Sequence, residues 1–335
     1  MTSQPQAAAD PATISVALCT RNGAAYLPAQ VRSICQQDRA PIEIVLSDDG
    51  SRDDSVEVVR TTMADCGAAG RIALTVFRND PALGVTRNFE QAVTACRGTL
   101  IALCDQDDVW RADRLATMAA VFERRPALLL LHTDARLVDG DLQPLGQTLF
   151  QGLEVRADEL AGIHAGRAFG VLMHRNLVTG ATTLFRRRLL DVALPFAAQW
   201  VHDEWLAALA AATGEMDVLE DCLIDYRQHA SNQIGVRRLG LKAKIAKAFA
   251  PRGDKHAQRL VRAQVLLDRL QWLGEQVPAQ VLAAAREKVA HQRFRAQLPA
   301  PRLLRPLPIA IEALRGRYAR YDRGWQAIVQ DLLEG

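Results

Sequence analysis

The chain has 335 residues, 49% apolar and 24% charged, a composition that suits a globular protein with a sizeable core and excludes a disordered or fibrous one. No run approaches the roughly 20 apolar residues of a membrane-spanning helix. Residues 1–11 lack the basic start and apolar centre of a signal peptide, so the expectation is a cytoplasmic protein with an Ala/Gln/Pro-rich disordered tail over residues 1–12. Six scattered cysteines show no C-x-x-C or Cys/His spacing, which argues against a zinc site and for buried reduced thiols. The net charge of +3 hides an asymmetry: residues 236–335 hold 20 Lys+Arg against 8 Asp+Glu, whereas residues 1–235 hold 21 against 30. A cationic last third suits an anionic partner, either a phospholipid surface or the acidic first part of the chain. Nucleic acid is disfavoured, because aromatics are only 5% and no zinc-finger or RNP-type signature is present.

In chain order, the apolar run 14–19 reads as a strand, followed by the turn Thr20-Arg21-Asn22-Gly23 and a helix over about 26–37. A second strand, 42–46, ends at Ser47-Asp48-Asp49-Gly50-Ser51, and a helix follows over about 53–66. A third strand, 72–77, ends near Asn79, with a helix over about 86–96. The fourth strand, 99–104, runs into Asp105-Gln106-Asp107-Asp108, and a helix follows over about 112–124. Residues 128–131 read as a fifth strand. Strands alternating with helices imply right-handed crossovers and a mostly parallel sheet with helices on both faces. Ligands bind such sheets outside the carboxyl ends of the strands. Four successive strand ends here deliver polar or charged groups to one edge.

Three carboxylates at the end of strand four repel one another unless a cation sits among them. A divalent metal with oxygen ligands and a substrate phosphate would fit; an acidic turn capping the next helix, with Asp108 as its start, is the competing reading. The turn after strand one does not match G-x-G-x-x-G, and no G-x-x-x-x-G-K-[ST] run is present, so dehydrogenase and P-loop sites are excluded. Cys19-Thr20 occupies the place where a phosphatase would carry its nucleophilic Asp.

Residues 14–23 (ISVALCTRNG), 43–51 (EIVLSDDGS) and 103–110 (LCDQDDVW) together resemble the family 2 glycosyltransferases of the GT-A fold. The D-Q-D-D-V-W form is similar to the rhamnosyltransferase-like branch. The resemblance covers residues 13–235, taken as a GT-A catalytic domain, with 236–335 as a basic helical C-terminal region. It implies an inverting transferase that moves a sugar from a nucleoside diphosphate to a saccharide hydroxyl with Mg²⁺ or Mn²⁺. By branch resemblance the donor is dTDP-rhamnose and the acceptor a lipid-linked or lipopolysaccharide-type saccharide. Carried over position by position, Thr20, Arg21 and Asn22 would line the nucleotide pocket. Asp48 or Asp49 would hold the base or ribose, the choice between them staying open. Asn79, Gly84, Arg87 and Asn88 would lie near the nucleotide. Asp105 and Asp107 form the D-x-D pair, with Gln106 between them: Asp105 toward ribose or metal, Asp107 on the metal.

In Trp200-Val-His-Asp-Glu-Trp205, Asp203 matches the family's general base and Glu204 competes with it. The other possibility is an acidic first turn favoured by the helix dipole. Thr179 and Gly180 would touch acceptor or donor sugar, and His202 would orient the acceptor. In the 226–235 segment, His229 would reach the metal or diphosphate and Arg227 would balance phosphate charge. The Q-x-x-R-W motif of processive members is absent there. In the last third, a basic amphipathic stretch, Leu239–Phe249 with Lys242, Lys244, Lys247 and Arg252, suits peripheral contact with an anionic membrane; a helical cap on the catalytic domain is the alternative. Pro299, Pro301, Pro306 and Pro308 should interrupt any helix before a last one over about 310–321. A nucleotidyltransferase and a non-catalytic sugar- or nucleotide-binding partner are the rival functions.

Overall fold

A computed structural model describes residues 12–229 and 253–334. The stretch Leu239–Phe249 and its lysines therefore lie outside the described residues.

The order is β1 (Ile14–Thr20), α1 (Leu27–Cys35), β2 (Glu43–Asp48), α2 (Ser55–Asp65), β3 (Ala73–Arg78), α3 (Val85–Ala95), β4 (Leu100–Cys104), β5 (Val109–Trp110), α4 (Arg114–Arg124) and β6 (Leu128–Val138). Then come β7 (Pro144–Thr148), α5 (Leu149–Gly152), α6 (Ala157–His164), α7 (Ala168–His174), β8 (Leu184–Arg186), α8 (Leu190–Ala193), α9 (His202–Thr213) and β9 (Glu215–Arg227). The helical C-terminal region holds α10 (Lys255–Leu273), α11 (Ala279–Ala296), α12 (Pro306–Leu314), α13 (Arg317–Tyr321) and α14 (Trp325–Leu333).

One sheet runs β3-β2-β1-β4-β8-β6-β9-β5, with β7 on β6. Its first four strands are parallel, because each connection is a helical crossover too long for a hairpin. β8 enters antiparallel between β4 and β6. The central strands are apolar at successive positions and divide by period two. Val16, Leu18, Ile44, Leu46, Leu100 and Ala102 face one core with α1, α2 and α4. Ala17, Val45, Ile101 and Leu103 face a second core with α3, α7 and α9. A sheet covered on both faces explains strands that read as unbroken apolar runs. Burial is nearly complete along α9 as well, from Trp205 through Ala210, so a helix apolar all round lies inside the protein.

The same second core continues into α10 and α11 through Ala263, Leu266, Leu267, Leu270, Ala285 and Val289. The described part of the last third is thus a helical cap packed on the sheet domain, and the periodicity of 260–273 is its contact face. Pro306 and Pro308 do not interrupt a helix as expected; both lie in the first turn of α12. Pro306 starts α12, because Pro lacks only an N–H that the first turn leaves unpaired anyway. The expected last helix over 310–321 is split at Gly316, which adopts a left-handed conformation between α12 and α13.

Candidate active site

Parallel register places the strand ends side by side: Thr20 pairs with Asp48, and Asp48 with Arg78. The β1 turn bends at Asn22, whose φ of 52° is tolerated by Asn. Its side-chain oxygen accepts from the Arg52 N–H at 2.9 Å, and its own N–H donates to the Ser51 hydroxyl at 2.8 Å. Ser51 in turn donates to the Asp48 carboxylate. Asp49 accepts from the N–H groups of Leu83 (2.5 Å) and Gly84 (3.0 Å), holding the loop that opens α3. Asn88 is buried and braces β2, accepting from Ser47 at 2.6 Å and from Asn79 at 3.0 Å. Arg21 and Arg87 are exposed at the rim. Of these expected pocket residues, then, Asn22, Asp49, Asn79 and Asn88 hold loops in place with their side chains.

Gln106 joins the first strand end to the acidic one. Its carbonyl oxygen accepts from the Thr20 hydroxyl at 2.7 Å and from the Arg21 N–H at 2.8 Å. This fixes the loop that carries Asp105 and Asp107. Burial, and then the charges of Asp107 and Asp203, push the Asp105 carboxyl up to about 7. Asp108 is buried and raised well above the carboxylate range by burial and by Asp107 and Asp105. Asp108 does not cap the following helix as expected: α4 starts only at Arg114, behind Asp113, and Asp108 accepts from the Arg227 N–H at 3.1 Å. The crowding that the sequence suggested is therefore real, and a cation among these groups would relieve it.

The far end of β9 supplies Arg227 and, two residues beyond it, His229. His229 Nε2 lies 2.8 Å from Asp107 Oδ2, so the structure brings together two residues expected on the metal. Arg227 donates from Nε to the Asp107 carbonyl at 2.7 Å and holds the acidic loop by its backbone. Tyr26 was not singled out in the sequence. Its ring stacks on His229 at 4.6 Å and lies under the Arg227 guanidinium at 5.0 Å. A lone aromatic at a helix start carries no signal of that role. Tyr226, also missed, has its hydroxyl raised by burial and by the charges of Asp108, Asp105, Asp107 and Asp203.

β8 pairs with β4 and so lays the preceding 179–183 turn against the acidic loop; the Leu103 N–H donates to the Thr183 carbonyl at 3.1 Å. From the other side comes the first turn of α9. Asp203 accepts from the Gly180 N–H at 2.8 Å and the Glu204 N–H at 2.7 Å. Burial raises its pKa, and those two N–H groups pull it back down. Gly180 is needed for this approach, since a Cβ there would lie 2.9 Å from His202 Nε2. His202 stacks on Phe89 at 3.8 Å, with no hydrogen bond to either ring nitrogen among the described residues, and burial pushes its pKa down to about 3. Glu204 turns away and forms an ion pair with Arg262 of α10. Arg262 also lies over the Trp200 ring at 4.5 Å, and the Trp200 indole N–H donates to its carbonyl at 3.0 Å. Carboxylates Asp105, Asp107 and Asp203 are thus brought near enough for the last two to raise the first, with the His229 imidazole on Asp107 and polar strand ends alongside.

The family model described as glycosyl transferase family 2 matches residues 15–193. An uncharacterized glycosyltransferase of Nostoc sp. is 28% identical over 224 residues, covering 65% of this chain and 66% of that protein. A PGL/p-HBAD biosynthesis glycosyltransferase of Mycobacterium bovis is 31% identical over 118 residues, 35% of this chain and 44% of that one. The chain thus matches less than two thirds of the length of these relatives. Among solved structures, S. aureus TarS 1–349 in complex with UDP-GlcNAc aligns with TM-score 0.57 at 17% identity, covering 96% of this chain and 89% of that one. A mannosyltransferase from Pyrobaculum calidifontis in complex with GDP-Man and Mn²⁺ aligns with TM-score 0.51 at 20% identity, covering 99% and 89%. These likenesses establish the GT-A fold, and with more than half of the chain matched by the family model, the protein belongs to glycosyl transferase family 2.

Proposed function

We propose that the protein transfers a sugar from a nucleoside diphosphate to an acceptor hydroxyl, with inversion and with a bound Mg²⁺ or Mn²⁺. The observation that carries this reading is the Asp107–His229 contact at 2.8 Å, next to an Asp105 that also feels the charge of Asp203. The groups read here as metal-side and base-side are close enough to influence one another's charge.

The donor set suits a divalent ion: hard carboxylate oxygens and one imidazole, crowded enough to hold a proton in its absence. Asp107, His229 and Asp105 would hold it, and it would supply charge neutralisation of the departing diphosphate. The remaining work falls to the chain. Thr20 and Asp48 line the nucleotide side; Asp48 is favoured over Asp49, because each Asp49 oxygen already accepts a backbone N–H. Arg21 and Arg87 stand exposed at the rim, where they would meet phosphate. Gly180 and Thr179 border the sugar. Asp203 takes the acceptor proton as the oxygen attacks the anomeric carbon; its raised pKa suits a base, and the two N–H bonds fix its orientation. Glu204 is set aside as base by its ion pair with Arg262.

The donor proposed is dTDP-rhamnose and the acceptor a saccharide of cell-surface polysaccharide or lipopolysaccharide synthesis, both resting on the D-Q-D-D-V-W resemblance alone. The Pyrobaculum neighbour's GDP-Man and Mn²⁺ support a nucleotide sugar and a metal in this fold. No helix among the described residues is long and apolar enough to cross a membrane; a cytoplasmic location is part of the proposal. Calorimetry of dTDP, UDP and GDP with Mn²⁺, repeated with EDTA, tests it. Metal-dependent binding of one nucleotide is expected. Metal-independent binding, or none, would favour the non-catalytic partner, and pyrophosphate release from a nucleoside triphosphate and a sugar phosphate would favour the nucleotidyltransferase.

A further inference from the structure

We infer that the α12–α14 face at the end of the chain docks on an anionic lipid surface. Large apolar side chains stand in solvent there: Leu303 is 94% exposed, Leu314 89%, Leu307 72% and Trp325 70%. Along α12, Leu307, Ile311 and Leu314 recur at i, i+4 and i+7, one stripe of the helix, while Ile309 and Glu312 point inward. On α14, Trp325 and Val329 are likewise one turn apart and exposed. A cluster this apolar is unusual on a surface that meets only water.

Charge decides the occupant. Residues 302–334 contain six arginines and four acids. Glu312, Asp331 and Glu334 are buried, and Asp322 is half-buried and ion-paired with Arg295. Asp331 is held by Arg295 at 2.6 Å and 2.7 Å and by the Tyr318 hydroxyl at 2.7 Å; Glu334 meets His256 and Lys255 at 2.5 Å each. Arg302, Arg315, Arg320 and Arg323 are exposed. Every acid is thus turned inward, and the outside presents leucines, a tryptophan and arginines. That pairing matches a bilayer interface, where apolar groups enter the acyl boundary and guanidinium groups meet anionic headgroups. A second copy of this chain would bring a like-charged face against it. This lipid-facing role does not depend on the sugar-transfer reading, and it is carried by residues other than those of the basic 239–249 stretch.

The test is co-sedimentation of the full chain with phosphatidylcholine vesicles, with and without phosphatidylglycerol. Binding to the anionic vesicles, weakened by salt, is expected, with a blue-shifted emission that Trp325→Phe removes. Leu303→Ser/Leu307→Ser/Leu314→Ser should lower partitioning by at least about tenfold with an unchanged melting temperature, since these side chains are already in solvent. Arg302→Gln/Arg315→Gln should cost about fivefold per arginine on anionic vesicles alone. Lys242→Gln/Lys244→Gln/Lys247→Gln should keep the leucine-dependent part. No binding to either vesicle, binding untouched by the leucine triple variant, or a dimer that this variant dissociates would each overturn the inference.

Discussion

Asp203→Asn removes a proton acceptor while keeping the shape of the side chain. The carboxylate accepts two backbone N–H groups, from Gly180 at 2.8 Å and Glu204 at 2.7 Å. The Asn carbonyl can keep one; its NH₂ then faces the other donor, leaving a buried N–H unpaired at a cost of about 1–3 kcal/mol. Against this, the raised pKa of Asp203 means that its ionised form is penalised in the folded state, and so is the mutual repulsion with Asp105. A neutral side chain removes both penalties. The expected net change is a loss of no more than about 2 kcal/mol. The rate should respond much more strongly. Loss of a positioned general base costs about 10²–10⁴-fold, or roughly 3–5 kcal/mol of barrier. Nucleoside diphosphate release from a panel of sugar nucleotides, measured alongside calorimetric binding of the same nucleotides with Mn²⁺, separates the two effects. Turnover should collapse with binding intact. Turnover within about threefold of the unchanged chain, or binding lost in step with rate, would refute the assignment.

Glu204→Gln is the matched control: its ion pair with Arg262 is partly exposed, so turnover should stay within a few-fold, and a collapse equal to that of Asp203→Asn would transfer the base role to Glu204. Asp107→Asn and His229→Ala should each weaken Mn²⁺-dependent nucleotide binding by more than about tenfold in calorimetry, with little change in the EDTA baseline. For acid stability the sign follows from burial. The His202 pKa is about 3 and that of His132 about 4 in the folded chain, both below the ordinary 6.5, so each holds its neutral form. Their contribution is complete above about pH 6.5 and is lost as pH falls toward 3, at about 1.4 kcal/mol per pH unit for each group. Asp105, raised to about 7, acts in the opposite sense. The difference between His202→Leu and the parent therefore isolates one histidine: denaturant melts should show a shallower acid limb in the variant, and parallel limbs would contradict the burial argument. Gly23→Ala would place a methyl 2.6 Å from Thr20 Oγ1 and into Gln106. It should cost about 1–3 kcal/mol in a denaturant melt and reduce nucleotide binding, because Gln106 staples the acidic loop.

The first half of the fold was legible because local pattern and final packing agree there. Strands covered on both faces read as apolar runs, crossover helices as 3.6-residue periods, and parallel register then forces their polar ends to one edge. The acidic loop was legible for a similar reason: three carboxylates in four residues at the end of a buried strand repel one another unless a cation sits among them. Residue type and place were less able to assign individual roles. Asn22, Asp49 and Asn88 stand at the edge as expected, yet their hydrogen bonds go to loops, a matter of which backbone N–H lies within 3 Å. Tyr26 and His229 are two hundred residues apart in the chain, and nothing local announces their stacking.

By itself, then, the sequence determined the alternation of elements, the polar edge, and the motif set that places the chain in its family. Tertiary structure alone decided that β8 returns antiparallel to set Gly180 against Asp203, that Glu204 is consumed by Arg262, and that α10 and α11 extend the core. It also decided which way the last helices turn their charges, acids in and arginines out. These outcomes depend on contacts between residues far apart in sequence, which composition and periodicity do not encode.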